Sequence, residues 1–375
     1  MKGADSVRVI VTGGGTGGHI YPALAIAKGM QSADPQTEIL YVGTDTGMEA
    51  KLVPEAGLKF ASVPGQGLPR KLSVETLKVG VKSVKALWDT KQILKKFKPD
   101  LVVGTGGYVS GPVVLTAALF GIPTLLHEQN ALPGVTNKIL ARFVRKVMVT
   151  FPDSIAHFGI QKKLVLTGLP VRPEIGQMSR QEGASRLRLD PKRLTLLITG
   201  GSRGARSINQ AMIKVLKELS SHPEVQVVWA TGKATHQESL KSLQEAGIQW
   251  KRENWKVLEY LADMPAALAC TDLWIGRAGA ASLAELMVAG KPAILIPYPY
   301  AAENHQEYNA RALEQTGAAR VILDKDLNGE TLWQAVRDLM GQAVQLQEMA
   351  AKAKELGEPD ALGKIVNICF ETGWK

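Results

Sequence analysis

Cysteine is nearly absent, with only Cys270 and Cys369 in 375 residues. That excludes a disulfide framework and a four-thiolate metal centre, and it fits a reducing, cytosolic setting. Acidic side chains are in deficit: 35 Asp and Glu against 45 Lys and Arg leave a net charge of +10. Such a balance suits anionic partners: nucleic acid, an anionic membrane surface or a phosphorylated substrate. The first apolar run, residues 7–11, breaks at once into glycines, so no signal core is expected there. Residues 101–126 carry no charge over 26 positions. They are punctuated by Gly104, Gly106, Gly107, Gly111, Pro112, Gly121 and Pro123, and read as strand, loop, short helix and strand rather than a membrane span. A Gly-Lys-Ser/Thr signature is missing, which excludes a P-loop. No repeat of 20–50 residues is present, which excludes a solenoid.

What is present is enough apolar sequence for a substantial core, 45% hydrophobic against 21% charged, so disorder is excluded as the main description. At roughly 100–200 residues per domain the length suggests two domains. The chain is built twice. Residues 7–11 form an apolar strand, followed by Thr12-Gly13-Gly14-Gly15-Thr16-Gly17-Gly18-His19 and an alanine-rich helix from Pro22. Residues 194–198 repeat the scheme with Thr199-Gly200-Gly201-Ser202-Arg203-Gly204-Ala205 and a helix from about Ser207. Further strands are expected at 39–42, 101–103, 124–126, 147–149, 225–229, 273–275 and 293–296. Strands alternating with helices predict an α/β protein: two Rossmann-like, doubly wound parallel-sheet domains facing a cleft. The expected divisions are 1–168, a linker over 169–190 that opens on Gly168-Leu169-Pro170-Val171-Arg172-Pro173, a second domain over 191–345, and a helical end over 346–375 that can pack back on the first domain.

The glycine loops carry the first chemical signal. Residues 13–18 match G-x-G-x-x-G, with Asp45 after the second strand, a pattern that also admits a dinucleotide-binding oxidoreductase. Successive small residues leave backbone N–H groups open at a helix N-terminus, where a diphosphate is favoured. The second loop offers the same geometry with the Ser202 hydroxyl. A third segment, Arg277-Ala278-Gly279-Ala280-Ala281-Ser282, lets phosphate approach a helix start. Glu285, further along that helix, can accept hydrogen bonds from both ribose hydroxyls. A fourth, Glu303-Asn304-His305-Gln306, is dense in amide and imidazole groups suited to sugar hydroxyls.

A basic segment completes the pattern. Residues 70–98 hold nine basic and two acidic side chains. Val74, Leu77, Val81, Val84 and Trp88 form one helical face, with Lys78, Lys82 and Lys85 beside it. Periodicity alone reads this face as a core-facing stripe; the alternative is attachment to an anionic membrane through Leu77, Val81, Lys82, Lys85 and Trp88. Nucleic acid is not expected, because no aromatic-basic recognition module accompanies the charge. Asp324-Lys325-Asp326 resembles a metal-binding Asp-x-Asp, but its place before a late helix suits capping and solvation, and no metal is expected.

Together the motifs resemble one family. Gly-Gly-Gly-Thr-Gly-Gly-His at 13–19, Gly-Gly-Tyr-Val-Ser-Gly-Pro at 106–112, His-Glu-Gln-Asn-Ala at 127–131 and Gly-Leu-Pro-Val-Arg at 168–172 look like its N-terminal half. Gly-Gly-Ser-Arg-Gly-Ala-Arg at 200–206, Arg-Ala-Gly-Ala at 277–280 with Glu285, and Asn-His-Gln at 304–306 look like its C-terminal half. It is the MurG family, the UDP-N-acetylglucosamine:undecaprenyl-diphospho-muramoylpentapeptide N-acetylglucosaminyltransferases, and the likeness spans about residues 7–365. The resemblance implies the GT-B fold and inverting transfer of N-acetylglucosamine from the UDP sugar to lipid I, giving lipid II for peptidoglycan. It implies a peripheral place on the cytoplasmic side of the cell membrane. UDP-N-acetylglucosamine is then a substrate and no cofactor is required. Cell-wall synthesis proteins are plausible partners, though no residue names one.

Carried over by motif, Ser202 faces the diphosphate, Glu285 the ribose, the backbone of Arg277 and Ala280 the phosphates, and Leu261 the uracil. Gln306, with His305 beside it, faces the sugar; some members carry Gln-Gln at these two positions, so either residue can be the contact. Asn130 and Thr16, Gly17 and Gly18 reach the sugar from the first domain, and Arg172 matches a binding position. Gly14, Gly15 and Tyr108 lie on the acceptor side. Inversion requires a general base. His19 is the first candidate and Glu128 the second; the alternative for His19 is a loop-stabilising or diphosphate-contacting role. Rival functions on such an architecture are a UDP-N-acetylglucosamine 2-epimerase, a diacylglycerol glycosyltransferase, the oxidoreductase noted above and a nucleotide-sugar sensor.

Overall fold

The computed structural model describes residues 7–65 and 74–373, without the side chains of residues 74–84. The chain divides into two compact units, one reaching Pro170 and resuming at Asp360, the other Val171–Pro359.

The first unit holds strands β1 (Arg8–Thr12), β2 (Glu38–Gly43), β3 (Lys59–Ser62), β4 (Leu101–Gly104), β5 (Thr124–Glu128), β6 (Lys146–Val149) and β7 (Leu164–Leu166). They form one sheet in the order β3-β2-β1-β4-β5-β6-β7. The second holds β8 (Leu194–Thr199), β9 (Val225–Ala230), β10 (Trp255–Leu258), β11 (Leu273–Gly276), β12 (Ala293–Leu295) and β13 (Ala319–Val321), ordered β10-β9-β8-β11-β12-β13. Both sheets are parallel throughout the described pairings. The central strands are apolar because helices cover both faces, so neither face alternates with polar residues. Cores lie on either side of the first sheet, one around Val9, Val11 and Ile26, the other around Ile10, Val102 and Val114.

The expected central strands form. The short strands β3, β7, β10 and β13 were not anticipated, and their burial is mixed. The first helix is Gly17–Ala33, with Pro22 inside it rather than at its head. Glycines read as loop in a sequence, yet here Gly17 and Gly18 open the helix, and Pro22 forgoes only one hydrogen bond near its start. The C-terminal helix Ala361–Gly373 belongs to the first unit. It supplies Ile365, Val366 and Cys369 to the core shared with Ile20 and Ala27. Cys270 and Cys369 are both buried free thiols.

In the helix Val74–Phe97, Ala86, Thr90 and Leu94 are buried, whereas Trp88 is 60% exposed and Lys85 is exposed. The core-facing stripe expected from periodicity therefore does not include Trp88. Leu77, Val81 and Lys82 have side chains outside the described residues. Among the described residues no helix is long and apolar enough to cross a membrane.

Candidate active site

The first unit gathers its motifs at the carboxyl ends of β1, β4 and β5. The helix Gly17–Ala33 starts after Thr16, whose backbone oxygen accepts from His19 and Ile20 N–H. The N–H groups of Gly17 and Gly18 therefore lie among the four donors that a helix start leaves without an intrahelical partner. The loop after β4 packs backbone on backbone against this turn. A Cβ on Gly107, at φ +81°, would lie 2.2 Å from the Gly14 carbonyl oxygen. Only glycine permits that approach. The Tyr108 ring lies against Gly15 on the same side.

The half-buried His19 ring is held by one nitrogen. Its Nδ1 lies 3.0 Å from the Thr105 carbonyl oxygen and 3.0 Å from Gln129 Oε1. Both are acceptors, so in the neutral ring Nδ1 carries the hydrogen and Nε2 keeps its lone pair. That arrangement leaves a basic nitrogen at the first turn of the helix.

Glu128 is buried, and four N–H groups meet its two oxygens. Oε1 accepts from Asn130 N at 2.9 Å and Asn130 Nδ2 at 3.2 Å, and Oε2 from Gly134 N at 3.2 Å and Asn137 Nδ2 at 2.8 Å. This carboxylate orders the loop that carries Asn130. A second buried acid, Glu49, escaped the sequence reading, which had looked to the exposed Asp45. It accepts from Thr44 N, Thr44 Oγ1 and Gly15 N, at 3.1, 2.7 and 3.3 Å. The Gly15 N–H expected to face the acceptor is thus turned onto Glu49. Tyr41 donates to the Gly13 carbonyl at 2.6 Å, and its hydroxyl is pushed strongly upward in pKa by burial and then by Glu49. Only the spacing of Glu49 after Gly47 could have flagged it.

In the second unit a cavity of about 550 Å³ is lined by Ser202, Arg203, Lys233, Ala234 and Tyr260. The loops after β8 and β9 meet at two glycines: a Cβ on Gly232, at φ +87°, would lie 2.1 Å from Gly204 Cα. Lys233 N–H donates to the Ser202 carbonyl at 3.3 Å, and its ammonium stands 5.6 Å from the Tyr260 ring centroid. Leu261 is buried next to Tyr260. Two cations and a hydroxyl on one wall suit a diphosphate, and an aromatic face suits a base. Sequence reasoning missed Lys233 and Tyr260; the run Thr231-Gly232-Lys233 after a strand was their signal.

The remaining expected residues surround the helix Ala280–Ala289. Ala280 opens it after Gly279, and Glu285 lies in its second turn. Arg172 grips Glu285 with two bonds of 2.8 Å, Nε to Oε1 and a terminal nitrogen to Oε2. Two residues read separately in the sequence are therefore one bidentate pair. The Arg277 guanidinium meets Asp324 Oδ1 at 2.5 Å, Ser207 Oγ at 3.0 Å and the Ile296 and Pro297 carbonyls at 3.1 Å. Asp324 is thus a buttress for Arg277 and not the solvated acid expected. Gln306 Oε1 accepts from Tyr298 N at 3.0 Å, and its amide nitrogen comes within 4.0 Å of where a Gly279 Cβ would sit. His305 Nδ1 is bonded to the Ala302 carbonyl at 2.7 Å. Glu303 and Asn304 just before it take positive φ, 53° and 55°, a strained turn for non-glycine residues. Among the described residues no group of three or more His, Cys, Asp or Glu is arranged to hold a metal ion.

Paired parallel α/β units with glycine loops at the carboxyl ends of their first strands define the GT-B class of glycosyltransferases. Residues 9–149 match the glycosyltransferase family 28 N-terminal domain and residues 195–365 its C-terminal domain. The UDP-N-acetylglucosamine–N-acetylmuramyl-(pentapeptide) pyrophosphoryl-undecaprenol N-acetylglucosamine transferase of Desulfitobacterium hafniense (strain DSM 10664 / DCB-2) is 74% identical over 369 residues, covering 98% of this chain and 100% of the relative. The enzyme of the same name from Desulforamulus reducens is 50% identical over 97% of this chain and 98% of its own. The crystal structure of Acinetobacter baumannii MurG superposes with a TM-score of 0.80 at 31% identity, over 97% of this chain and 99% of that one. The chain belongs to glycosyltransferase family 28 and, within it, to the MurG family of N-acetylglucosamine transferases. Across whole chains these likenesses favour the transferase over the epimerase, diacylglycerol glycosyltransferase, oxidoreductase and sensor readings.

Proposed function

We propose that this chain moves N-acetylglucosamine from UDP-N-acetylglucosamine onto undecaprenyl-pyrophosphoryl-N-acetylmuramyl-pentapeptide with inversion at the anomeric carbon. The first unit takes the acceptor and the second the donor. The observation that carries the chemistry is His19, pinned through Nδ1 by two acceptors with Nε2 left basic. His19 Nε2 removes the proton of the attacking sugar hydroxyl as the bond to UDP breaks. Ser202, Arg203 and Lys233 offset the charge of the leaving diphosphate, and Glu285, steadied by Arg172, accepts from the ribose. Leu261 and Tyr260 border the uracil. Gln306 and Asn130 serve the transferred sugar. Glu128 holds the Asn130 loop and is not the base.

The lipid-linked acceptor calls for attachment to the cytoplasmic face of the membrane. Trp88, Leu119, Phe120, Val135, Ile139 and Phe143 are exposed apolar side chains of the first unit. Lys91 stands 5.9 Å over the Phe120 ring, and Lys85, Arg142 and Arg145 are nearby in sequence. Aromatic and aliphatic groups mixed with cations match an anionic bilayer surface. Lys82→Glu with Lys85→Glu is expected to weaken binding to anionic vesicles; undiminished binding sinks this attachment.

The deciding assay is UDP release from UDP-N-acetylglucosamine, with and without a lipid I analogue, in excess EDTA. Acceptor-dependent release with a disaccharide lipid product is expected. Release without acceptor, or activity lost in EDTA and restored by Mg²⁺, overturns the transfer or its metal independence respectively.

A further inference from the structure

One set of buried polar groups in the first unit is left unused by this chemistry. His127 is fully buried at the end of β5, and burial pushes its imidazole down to about 4, so the ring is neutral at physiological pH. Its Nε2 lies 2.9 Å from the Gly168 carbonyl oxygen, which can only accept. Nε2 therefore carries the hydrogen, and Nδ1 is the acceptor. Gln129 faces that nitrogen at 3.1 Å with its amide end, which also lies 2.9 Å from the His127 and Thr105 carbonyl oxygens. Three acceptors around one end of the amide identify it as the NH₂ group. The other end, Oε1, is then the acceptor at 3.0 Å from His19 Nδ1. The polarity of the chain of bonds follows from three backbone carbonyls: Gly168 fixes His127, the His127 and Thr105 carbonyls fix Gln129, and Thr105 also accepts at His19 Nδ1.

We propose that Gln129 and His127 form a buried positioning relay, anchored on the Gly168 carbonyl, that together with the Thr105 carbonyl holds His19 in the Nδ1–H tautomer and fixes the direction of its Nε2. The role rests on the reading of His19 as the base, and both relay residues act only through it. A reversed Gln129 amide would set its NH₂ against a hydrogen on His19 Nδ1 and its oxygen against three acceptors, so the alternative polarity is strongly disfavoured. Burial keeps the His127 ring neutral, which leaves its Nδ1 as an acceptor for the Gln129 amide. The other titratable groups on the elements around His19 are Tyr41, Glu49, Tyr108 and Glu128. Glu49 and Glu128 are bonded to N–H and O–H donors, and Tyr41 to the Gly13 carbonyl, so Gln129 is the side chain bonded to His19 Nδ1.

The test is the tautomer itself, read by ¹⁵N NMR of histidine-labelled full-length protein. Wild type is expected to show Nδ1–H at His19 and Nε2–H at His127. Gln129→Met leaves His19 Nδ1–H on the Thr105 carbonyl alone, and the loosened ring should lower kcat about tenfold with the Kd for UDP-N-acetylglucosamine within about twofold. Gln129→Glu should move the acid limb of the kcat profile upward by about one pH unit, because a carboxylate favours the imidazolium. An Nε2–H tautomer at His19 in the wild type overturns the relay and needs no variant to fold. So does folded protein in which Gln129→Glu leaves the acid limb unmoved and Gln129→Met leaves kcat unchanged. His19→Ala separates the two ideas: undiminished turnover would sink the base while leaving the tautomer measurement standing.

Discussion

The two units share one strand scheme but use it for opposite electrostatics. In the first, the glycine loop after β1 meets the loop after β4, at Gly14 and Gly107; in the second, the loop after β8 meets the loop after β9, at Gly204 and Gly232. Choosing the neighbour on one side brings the Thr105 carbonyl to His19. Choosing the other brings Lys233 beside Ser202 and Arg203. The acids differ in the same way. Among the described residues Glu49 and Glu128 are satisfied by N–H and O–H donors without a cation, while Glu285 and Asp324 are each clamped by an arginine. Under the proposed function the first unit is thereby arranged around a proton acceptor, and the second around an anion. One parallel sheet supports both because the chemistry sits in its loops.

The comparison breaks first at His19. His19→Ala is expected to lower turnover about 10²–10³-fold while UDP-N-acetylglucosamine affinity, which the proposed function places mainly in the second unit, stays within about twofold. Comparable losses in both would show that the division of labour is wrong. The next effect concerns pH. The folded pKa of His127, about 4, lies below the ordinary value of 6.5. Between these values the unfolded chain binds more protons, so stability rises with pH through that window. The contribution is full above about 6.5 and is lost as pH falls toward 4; it reaches about 3 kcal/mol. Urea unfolding of wild type and His127→Asn across pH 4–7 checks this, and equal slopes would refute it.

The acids sharpen the contrast. Glu49→Gln turns an acceptor into an amide facing buried donors and is expected to cost about 1–3 kcal/mol in unfolding free energy. Arg172→Ala removes a half-exposed partner and should cost less than about 1 kcal/mol, its main effect being a raised KM for the donor. The reverse order of stabilities would mean that the arginine clamps, and not the buried acids, hold their unit together. Smallest is Lys233→Ala, expected to weaken UDP binding about threefold by calorimetry, with the midpoint of thermal unfolding unaltered. Unaltered binding would remove Lys233 from the anion wall.

Much of this was legible without coordinates. The doubled strand–glycine–helix pattern depends on local backbone needs and on burial from both faces, and both leave marks in the order of residues. So do the motif segments, because loops that bind diphosphates need small residues at fixed offsets from a strand. The short outer strands β3, β7, β10 and β13 left no such mark, because partial burial removes the continuous apolar run. Trp88 fell in register with an apolar face and yet points away from the core, since periodicity states that a face exists and not what covers it.

Pairings were beyond reach for a different reason. Glu285 and Arg172 are separated by 113 residues and Arg277 and Asp324 by 47. Nothing local marks such partners. By itself the sequence determined the fold class and the family, because these depend on local spacing. Only the tertiary structure decided which loops touch, that Glu128 orders a loop, that Glu49 lies beneath Gly15, and which nitrogen of His19 holds the hydrogen. Those follow from contacts between distant strands, where the backbone carbonyls of Thr105, His127 and Gly168 set the direction of the hydrogen bonds that lead to His19.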